Sequence, residues 1–281
     1  MENFVRPSSP PKYFALDVDG TFYAFDEDSY TKNRKAFRKL VEAGYVPFLC
    51  TGRPLFAVTD VLFELLDDGV YKGFPGVYQN GASIYDMHGN LLSISTFSKE
   101  LLVQFCECLQ KHGLENLAIF FTPTKGYTLA KESLCWQRLM GIWTLSHELT
   151  CTSAQEIIDS DIVEIVACDY PRMEPYLPHE ESRNFIVKHG THGLSDFIPA
   201  GTTKAMGIQK LLQKYDADNR DCAFIGDGDN DIEAMDLIDY SFAVGNADDS
   251  VKAHAKYVLE ETNEEGAFAK AVSLLYGVDA V

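Results

Sequence analysis

The sequence predicts an α/β protein with a doubly wound, Rossmann-like parallel sheet, into which a separate α+β domain is inserted. Short apolar segments alternate with amphipathic helical segments near both ends of the chain, which is typical of parallel sheets covered by helices. The middle of the chain lacks this alternation and is rich in β-type segments. The length of 281 residues fits one large domain or two modest ones.

The first elements of the parallel sheet lie near the N-terminus. Tyr13–Leu16 is a short apolar run that predicts a buried strand, and Val46–Cys50 predicts a second strand. Between them, Thr31–Ala43 has the spacing of an amphipathic helix, and Gly44 follows at the position where helices commonly end. Another helix is predicted after residue 54, because apolar residues recur there at helical spacing: Val58, Val61, Leu62 and Leu65.

The C-terminal third repeats the same alternation. Lys204–Tyr215 predicts a helix, Cys222–Ile225 a strand and Ile232–Leu237 a short helix. Phe242–Val244 predicts another strand, and Gly266–Tyr276 predicts a last helix. Because the pattern returns after the middle segment, we predict that both ends of the chain contribute to one sheet.

The middle of the chain predicts the inserted α+β domain. It contains a helix near Lys99–Lys111 and β-rich runs at Leu117–Phe121 and Ile162–Cys168. A hairpin is predicted over Asn184–Ile198, with its turn at Lys188–Gly193.

The predicted domain boundaries follow from this reading. Residues 13–85 and 193–281 form the core domain, and residues 86–192 form the inserted domain. Residues 1–12 contain several prolines and serines and no secretion-type apolar segment, so we predict a disordered leader there.

Charge and composition exclude several classes of function. With 24 Lys and Arg against 42 Asp and Glu, the net charge is −18, which argues against nucleic-acid binding. No apolar run approaches the ~18 residues of a membrane-spanning helix, so no membrane partner is predicted. Seven cysteines without a Cys-x-x-Cys pair indicate reduced thiols in a cytoplasmic protein. We expect a monomer or a weak homodimer.

Two groups of carboxylates directly follow predicted strands. Asp17 and Asp19 follow the first strand, and Asp227 follows a later one, with Asn230 and Asp231 close behind. Ligands of open parallel sheets bind beyond the carboxyl ends of the strands, so the two groups should share one crevice. A hard divalent cation relieves the repulsion between them, and Mg²⁺ fits such oxygen ligands.

Two other interpretations of these carboxylates fit the sequence less well. Asp-Gly pairs commonly form turns, which explains either group alone better than it explains two groups at strand ends. A calcium loop starting at Asp227 does not fit, because Ile232 stands where glycine is needed and Ile238 where glutamate is needed.

Residues suited to an anion stand near the same predicted crevice. Thr51 and Gly52 follow the second strand and offer a hydroxyl and backbone N–H donors ahead of a helix. Lys204 begins a helix and Arg53 follows Gly52, so both could supply positive charge for a phosphate. Taken alone, the position of Lys204 indicates only a solvated lysine at the end of a helix. Together with the carboxylates, it favours a phosphate site.

These residues form motifs that resemble those of the haloacid dehalogenase superfamily. Asp17-Val18-Asp19-Gly20-Thr21 is similar to its first motif, Thr51-Gly52-Arg53 to its second, Lys204 to its third, and Gly226-Asp227 with Asn230-Asp231 to its fourth. Three further segments resemble the Cof-type subfamily: Gln79-Asn80-Gly81-Ala82, Gly245-Asn246-Ala247 and Asn263-x-Glu265-Gly266. The resemblance covers nearly the whole chain after the leader, and it implies a type IIB α/β cap where the insertion is predicted.

The resemblance implies a role for each residue of the site. Asp17 would attack phosphorus to form an aspartyl-phosphate, and Asp19 would act as general acid and then general base. Mg²⁺ would bind Asp17, the Asp19 backbone carbonyl and Asp227. The remaining site residues would hold the phosphoryl group, support the metal or line the pocket: Thr51, Gly52, Arg53, Asn80, Lys204, Asn230 and Asp231.

The function predicted in this way is a Mg²⁺-dependent phosphatase acting on a small phosphorylated metabolite. A sugar phosphomutase and a non-catalytic metabolite-binding protein of the same fold remain as alternatives. Other candidate features were discounted. His189 and His192 have the spacing of a metal pair but lie in a glycine-rich hairpin. Five residues of the insertion could contact a substrate, but an aromatic-rich stretch is more typical of a core, so no site is assigned to them: Lys131, Trp136, Arg138, Trp143 and His147.

Overall fold

The structure is a computed structural model that describes residues 4–67, 69–142, 149–178, 183–189 and 193–278. Its contacts divide the chain into two compact units. The first, here called the core unit, comprises residues 1–52, 62–92 and 203–281. The second, the inserted unit, comprises residues 53–61 and 93–202. The predicted domains, 13–85 with 193–281 and 86–192, differ from these units at their edges.

Fourteen strands and eleven α-helices are assigned within the described residues. The strands are β1 (Tyr13–Leu16), β2 (Val46–Cys50), β3 (Gly76–Tyr78), β4 (Ser83–Tyr85), β5 (Leu91–Ile94), β6 (Ala118–Phe121), β7 (Gly126–Thr128), β8 (Thr150–Cys151), β9 (Glu164–Cys168), β10 (Phe185–His189), β11 (Leu194–Pro199), β12 (Cys222–Gly226), β13 (Tyr240–Ala243) and β14 (Tyr257–Val258). The helices are α1 (Glu27–Glu42), α2 (Leu55–Val61), α3 (Phe63–Asp67), α4 (Lys99–His112), α5 (Leu134–Ile142), α6 (Ala154–Ile158), α7 (Tyr170–Met173), α8 (Lys204–Lys214), α9 (Ile232–Leu237), α10 (Asp249–Lys252) and α11 (Ala267–Tyr276).

The sheet of the core unit confirms the predicted α/β class. Its strand order is β14-β13-β12-β1-β2-β3-β4-β5, and the pairs from β14 to β3 are parallel, whereas β3 and β4 are antiparallel. The central strand β1 is fully apolar and buried, as expected for a strand covered on both faces. Leu16 pairs with Ile225 of β12, so these two strands end side by side at the same edge of the sheet.

Helix boundaries in the core unit differ from the prediction for local reasons. α1 begins at Glu27 and not at Thr31, because the Asp26 side chain caps it by accepting a hydrogen bond from the Ser29 N–H at 2.9 Å. The single helix predicted after residue 54 is two short helices, α2 and α3, interrupted at Leu62. Gly44 has a φ of +85°, which confirms its place just after the end of α1.

The inserted unit contains a second sheet, which confirms the predicted α+β insertion. Its strand order is β10-β11-β9-β6-β7-β8, with antiparallel pairs except for the parallel β7–β8 pair. Phe105 of α4 packs edge-on against Phe185 and Phe197, whose ring centroids lie 5.7 and 5.3 Å away. The sheet continues through β11, so the pairing extends beyond the predicted boundary at residue 193.

The predicted hairpin is present as β10 and β11, which pair in antiparallel register. Its turn at residues 190–192, and with it His192, lies outside the described residues, as do Trp143 and His147. His189 lies on β10 with its Nδ1 atom 3.0 Å from the Ser195 hydroxyl.

Residues 4–12, the described part of the predicted leader, contain no helix or strand, but several of them contact other segments of the core unit. The Phe4 ring lies 4.9 Å from that of Tyr257, and the Arg6 guanidinium donates to the Leu274 and Ser273 carbonyls. All seven cysteines are described, and none forms a disulfide. None of the helices in the described parts of the chain has the length and apolarity needed to cross a bilayer.

Candidate active site

The predicted carboxylates meet at the edge where β1 and β12 end. Asp17 is the first residue after β1, and its N–H donates to the Ile225 carbonyl of β12 at 3.0 Å. Asp227 is the first residue after β12. This arrangement follows from the parallel pairing, because neighbouring parallel strands present their carboxyl ends at the same edge.

Lys204 lies buried between two of the carboxylates. It is the first residue of α8, which Thr203 caps by accepting a hydrogen bond from the Met206 N–H at 3.1 Å. The Lys204 ammonium lies 2.6 Å from Asp17 Oδ1 and 2.6 Å from Asp231 Oδ1. The lysine therefore bridges the residue after β1 and the turn after β12.

Asp231 is held on both of its oxygens. Oδ1 contacts Lys204, and Oδ2 accepts hydrogen bonds from the N–H groups of Asp227 and Gly228, each at 2.9 Å. The carboxylate lies directly against Gly226, where a Cβ atom would overlap it. The turn after β12 is thus shaped around the Asp231 side chain.

Burial and repulsion between carboxylates disfavour the charged forms of Asp17 and Asp227. Burial raises the pKa of Asp17 well above its ordinary value; Lys204 counteracts this, while Asp231 and Asp227 add to it. Burial, followed by repulsion from Asp231, raises the pKa of Asp227 to about 7. For Lys204, burial alone would lower the pKa, but the charges of Asp17 and Asp231 outweigh it and raise the pKa.

These side chains have the donor set of a cation site. Asp17, Asp227 and Asp231 each offer an oxygen, and the three oxygens lie within 4.8 Å of one another. Three carboxylates and one ammonium give a formal charge of −2, which a divalent cation would neutralise. Mg²⁺ prefers such oxygen ligands, so the residues present fit it. The sequence predicted the Asp17 and Asp227 side chains and the Asp19 backbone carbonyl as ligands; this group of side chains contains Asp17 and Asp227, and it adds Asp231.

Asp19 lies on a loop beside the cluster, between the buried residues Val18 and Thr21. Its side chain is exposed, and Gly20 follows with a left-handed φ of +73°. A Cβ atom at Gly20 would overlap the Asp227 carboxylate, so only glycine fits there. Thr21 donates from its hydroxyl to Asp227 Oδ1 at 2.7 Å. Sequence reasoning did not assign a role to Thr21, although it stands in the first motif.

The residues predicted to bind an anion are brought together in part. The Asn80 N–H donates to the Thr51 carbonyl at 3.1 Å, and the Asn230 amide donates to Asn80 Oδ1 at 2.8 Å. Gly52 lies against the Asn80 side chain, 3.2 Å from where its Cβ would be. Thr51, Gly52, Asn80 and Asn230 all belong to the core unit, but Arg53 begins the segment assigned to the inserted unit.

The fold and the site together define a class of α/β proteins. In this class, an acidic site that can bind a cation lies at the carboxyl edge of a parallel sheet, and a second sheet is inserted in the chain. Residues 14–272 match the family described as haloacid dehalogenase-like hydrolases. The chain belongs to this family, which confirms the resemblance seen in its motifs.

Two relatives of known name match this chain over most of their own length. The chain is 23% identical over 283 residues to 5-amino-6-(5-phospho-D-ribitylamino)uracil phosphatase YwtE of Bacillus subtilis, covering 91% of this chain and 95% of that one. It is 23% identical over 270 residues to pyridoxal phosphate phosphatase YbhA of Escherichia coli, covering 90% and 95%. The solved HAD subclass IIB sugar phosphatase BT4131 shares the fold, with a TM-score of 0.75 at 20% identity, covering 93% and 98%.

One similar protein is much longer. The chain spans 46% of the endoribonuclease YBEY, chloroplastic, of Arabidopsis thaliana, to which it is 23% identical over 271 residues, or 92% of this chain.

Proposed function

We propose that the protein is a Mg²⁺-dependent phosphatase that hydrolyses small phosphomonoesters, such as sugar phosphates, nucleotides or phosphorylated cofactors. The observation that carries this proposal is the buried cluster of Asp17, Lys204, Asp227 and Asp231 at the ends of β1 and β12, with its formal charge of −2. The names of two relatives and of a protein with the same fold support it, because each is called a phosphatase.

In the proposed reaction, an oxygen of Asp17 attacks phosphorus, and the bond to the leaving alcohol breaks. Lys204 contacts Asp17 Oδ1 at 2.6 Å, so it fixes the orientation of the nucleophile. Asp19 gives its proton to the departing alkoxide. It then removes a proton from the water that hydrolyses the aspartyl-phosphate, which releases inorganic phosphate and restores Asp17.

Asp17, Asp227 and Asp231 would hold the magnesium ion in the core unit. When bound, Mg²⁺ supplies positive charge that neutralises the developing charge on the phosphoryl group. Thr51 and Gly52 would contribute a hydroxyl and a backbone N–H to the phosphoryl oxygens. The Asn80–Asn230 pair would support the same pocket, as its 2.8 Å hydrogen bond joins the turns after β3 and β12.

To test this proposal, phosphate release from a panel of small phosphomonoesters is measured with Mg²⁺ and then with excess EDTA. We expect release from at least one member, its loss in EDTA, and no release by the Asp17→Asn variant. The matched control is Asp218→Asn, because Asp218 is an exposed acid that caps a turn.

Other outcomes separate the alternatives. Phosphate transfer between sugar positions without net release would indicate a mutase. Binding of a phosphorylated ligand without turnover would indicate a non-catalytic binding protein. Undiminished turnover by Asp17→Asn would show that the nucleophile is assigned wrongly.

A further inference from the structure

Three residues far along the chain hold the loop that carries Asp19. We call Asn246, Asn263 and Glu264 the brace. The Asn246 amide donates to the Gly20 carbonyl at 2.8 Å, and the Asn263 amide donates to the Tyr23 carbonyl at 3.1 Å. The Glu264 carboxylate accepts hydrogen bonds from two consecutive N–H groups further along the loop, those of Phe25 and Asp26, at 3.0 and 2.8 Å.

The members of the brace are also linked to one another. The backbone N–H of Asn263 donates to Asn246 Oδ1 at 2.8 Å, so the Asn246 amide is used at both ends. This fixes which end of the side chain faces Gly20: the oxygen faces Asn263, and the nitrogen faces the Gly20 carbonyl. Asn246 therefore joins two segments of the chain.

The backbone around Asn246 is itself fixed. The Gly245 N–H donates to the Glu261 carbonyl at 2.7 Å, and the Lys252 ammonium donates to the Gly245 carbonyl at 2.8 Å. A Cβ atom at position 245 would overlap the Glu260 carbonyl, so the two segments pack closely. Asn246 thus projects from a rigid support.

The loop needs such support at Gly20 in particular. Glycine has the largest conformational freedom of any residue, and Gly20 adopts a left-handed conformation one position after Asp19. The carbonyl of the Gly20–Thr21 peptide group accepts from Asn246, and the Thr21 side chain directly after it donates to Asp227 at 2.7 Å. Fixing the peptide group after Gly20 limits the directions in which the backbone at Asp19 can turn.

We propose that Asn246 is a positioning residue for Asp19, an inference that rests on the proposed function. Asn246 touches no reacting atom; it acts through the Gly20 carbonyl to hold the general acid where it can reach the leaving-group oxygen. General acids act only within hydrogen-bonding reach of that oxygen, so a small shift of the loop weakens catalysis.

Two substrates with different leaving groups test this inference. An alkoxide leaving group needs a proton from the general acid, whereas 4-nitrophenolate departs without one. At saturating Mg²⁺, we expect Asn246→Ala to lower kcat/KM for a primary alkyl phosphate about tenfold and for 4-nitrophenyl phosphate less than about threefold. The quantity kcat/KM is chosen because it reports the step in which the alcohol leaves.

Two variants calibrate the measurement. Asp19→Asn removes the general acid itself, and we expect it to lower the alkyl phosphate rate by about 10²–10⁴ with a smaller effect on 4-nitrophenyl phosphate. Asn90→Ala is the matched control: Asn90 is also an exposed asparagine of the core unit, and its amide bonds Asp86 at 3.1 Å. We expect this control to leave the ratio of the two rates unchanged.

A second variant covers the case in which Asn246→Ala folds poorly. Asn246→Asp keeps the acceptor for the Asn263 N–H and loses the donor to Gly20, so we expect the same selective loss. Equal losses on both substrates, while Asp19→Asn remains selective, would overturn the inference and leave Asn246 with a structural role only. Absence of wild-type phosphate release from these two substrates and from every member of the phosphomonoester panel would overturn the proposed function instead.

Discussion

The two sides of the carboxylate cluster are held in different ways. On the buried side, Lys204 bridges Asp17 and Asp231 through two contacts of 2.6 Å, and all three side chains are buried. On the exposed side, Asp19 stands on a loop held by separate hydrogen bonds to Asn246, Asn263 and Glu264. Buried charges depend strongly on their partners, whereas exposed hydrogen bonds contribute about 1 kcal/mol each. Changes on the buried side should therefore cost more stability.

The largest effect is expected for Lys204→Met. It leaves Asp17 and Asp231 buried without a cation, so we expect a loss of about 3–5 kcal/mol in the free energy of unfolding in EDTA at neutral pH. Urea unfolding measures this loss. This loss of stability should shrink as the pH falls, because Lys204 lowers the pKa of Asp17 in the wild type. Without Lys204, Asp17 takes up a proton more readily on folding.

Lys270→Met is the control for that experiment. Lys270 also forms an ion pair, with Glu261 at 2.9 Å, but both side chains are partly exposed. Surface pairs contribute at most about 1 kcal/mol. If Lys204→Met and Lys270→Met lost equal stability, the burial of the Lys204 ion pairs would not make them more important for stability than a surface pair.

An intermediate effect is expected for Gly226→Ala. The added methyl group would overlap the Asp231 carboxylate, so we expect a loss of about 1–3 kcal/mol in the free energy of unfolding, measured with urea. Gly141→Ala is the matched control, because a Cβ atom there meets open space. In a helix this exchange should raise stability by up to about 1 kcal/mol. If Gly226→Ala left the free energy of unfolding unchanged, the turn around Asp231 would be able to adjust to the added methyl group.

The smallest loss of stability is expected at the far end of the loop that carries Asp19. Asp26→Ala removes the N-cap of α1, so we expect a loss of about 1 kcal/mol in the free energy of unfolding. Asp28→Ala keeps the Asp26–Ser29 hydrogen bond and should change stability by less than about 0.5 kcal/mol. Thermal unfolding of the two variants provides the measurement. A loss above 3 kcal/mol for Asp26→Ala would show that the loop matters as much as the buried side.

The sequence predicted the buried side of the cluster better than the exposed side. Asp17 and Asp227 could be found because each directly follows an apolar strand, and the order of strands and helices indicated that these strands are parallel. Such signals are local. The exposed side depends on pairs such as Gly20 with Asn246, which lie 226 positions apart, and no local pattern indicates that they meet.

Contacts that no sequence pattern indicates also explain the smaller differences between the predicted and the observed structure. The start of α1 depends on a single capping bond from Asp26, and a cap without a strong apolar pattern behind it is easily overlooked. The role of Asp231 could be placed only loosely, since its two oxygens contact Lys204 and two backbone N–H groups that the spacing alone does not bring together.

The position of β1 in the sheet has a consequence for how the chain folds during its synthesis. One neighbour of β1, the strand Val46–Cys50, is made soon after it, but the other begins only at Cys222. A ribosome needs about 10–35 s to add the roughly 170 residues between them. During that time an apolar strand carries an open hydrogen-bonding edge, which invites pairing with other chains. Binding by a chaperone in this interval would protect the strand that later presents Asp17.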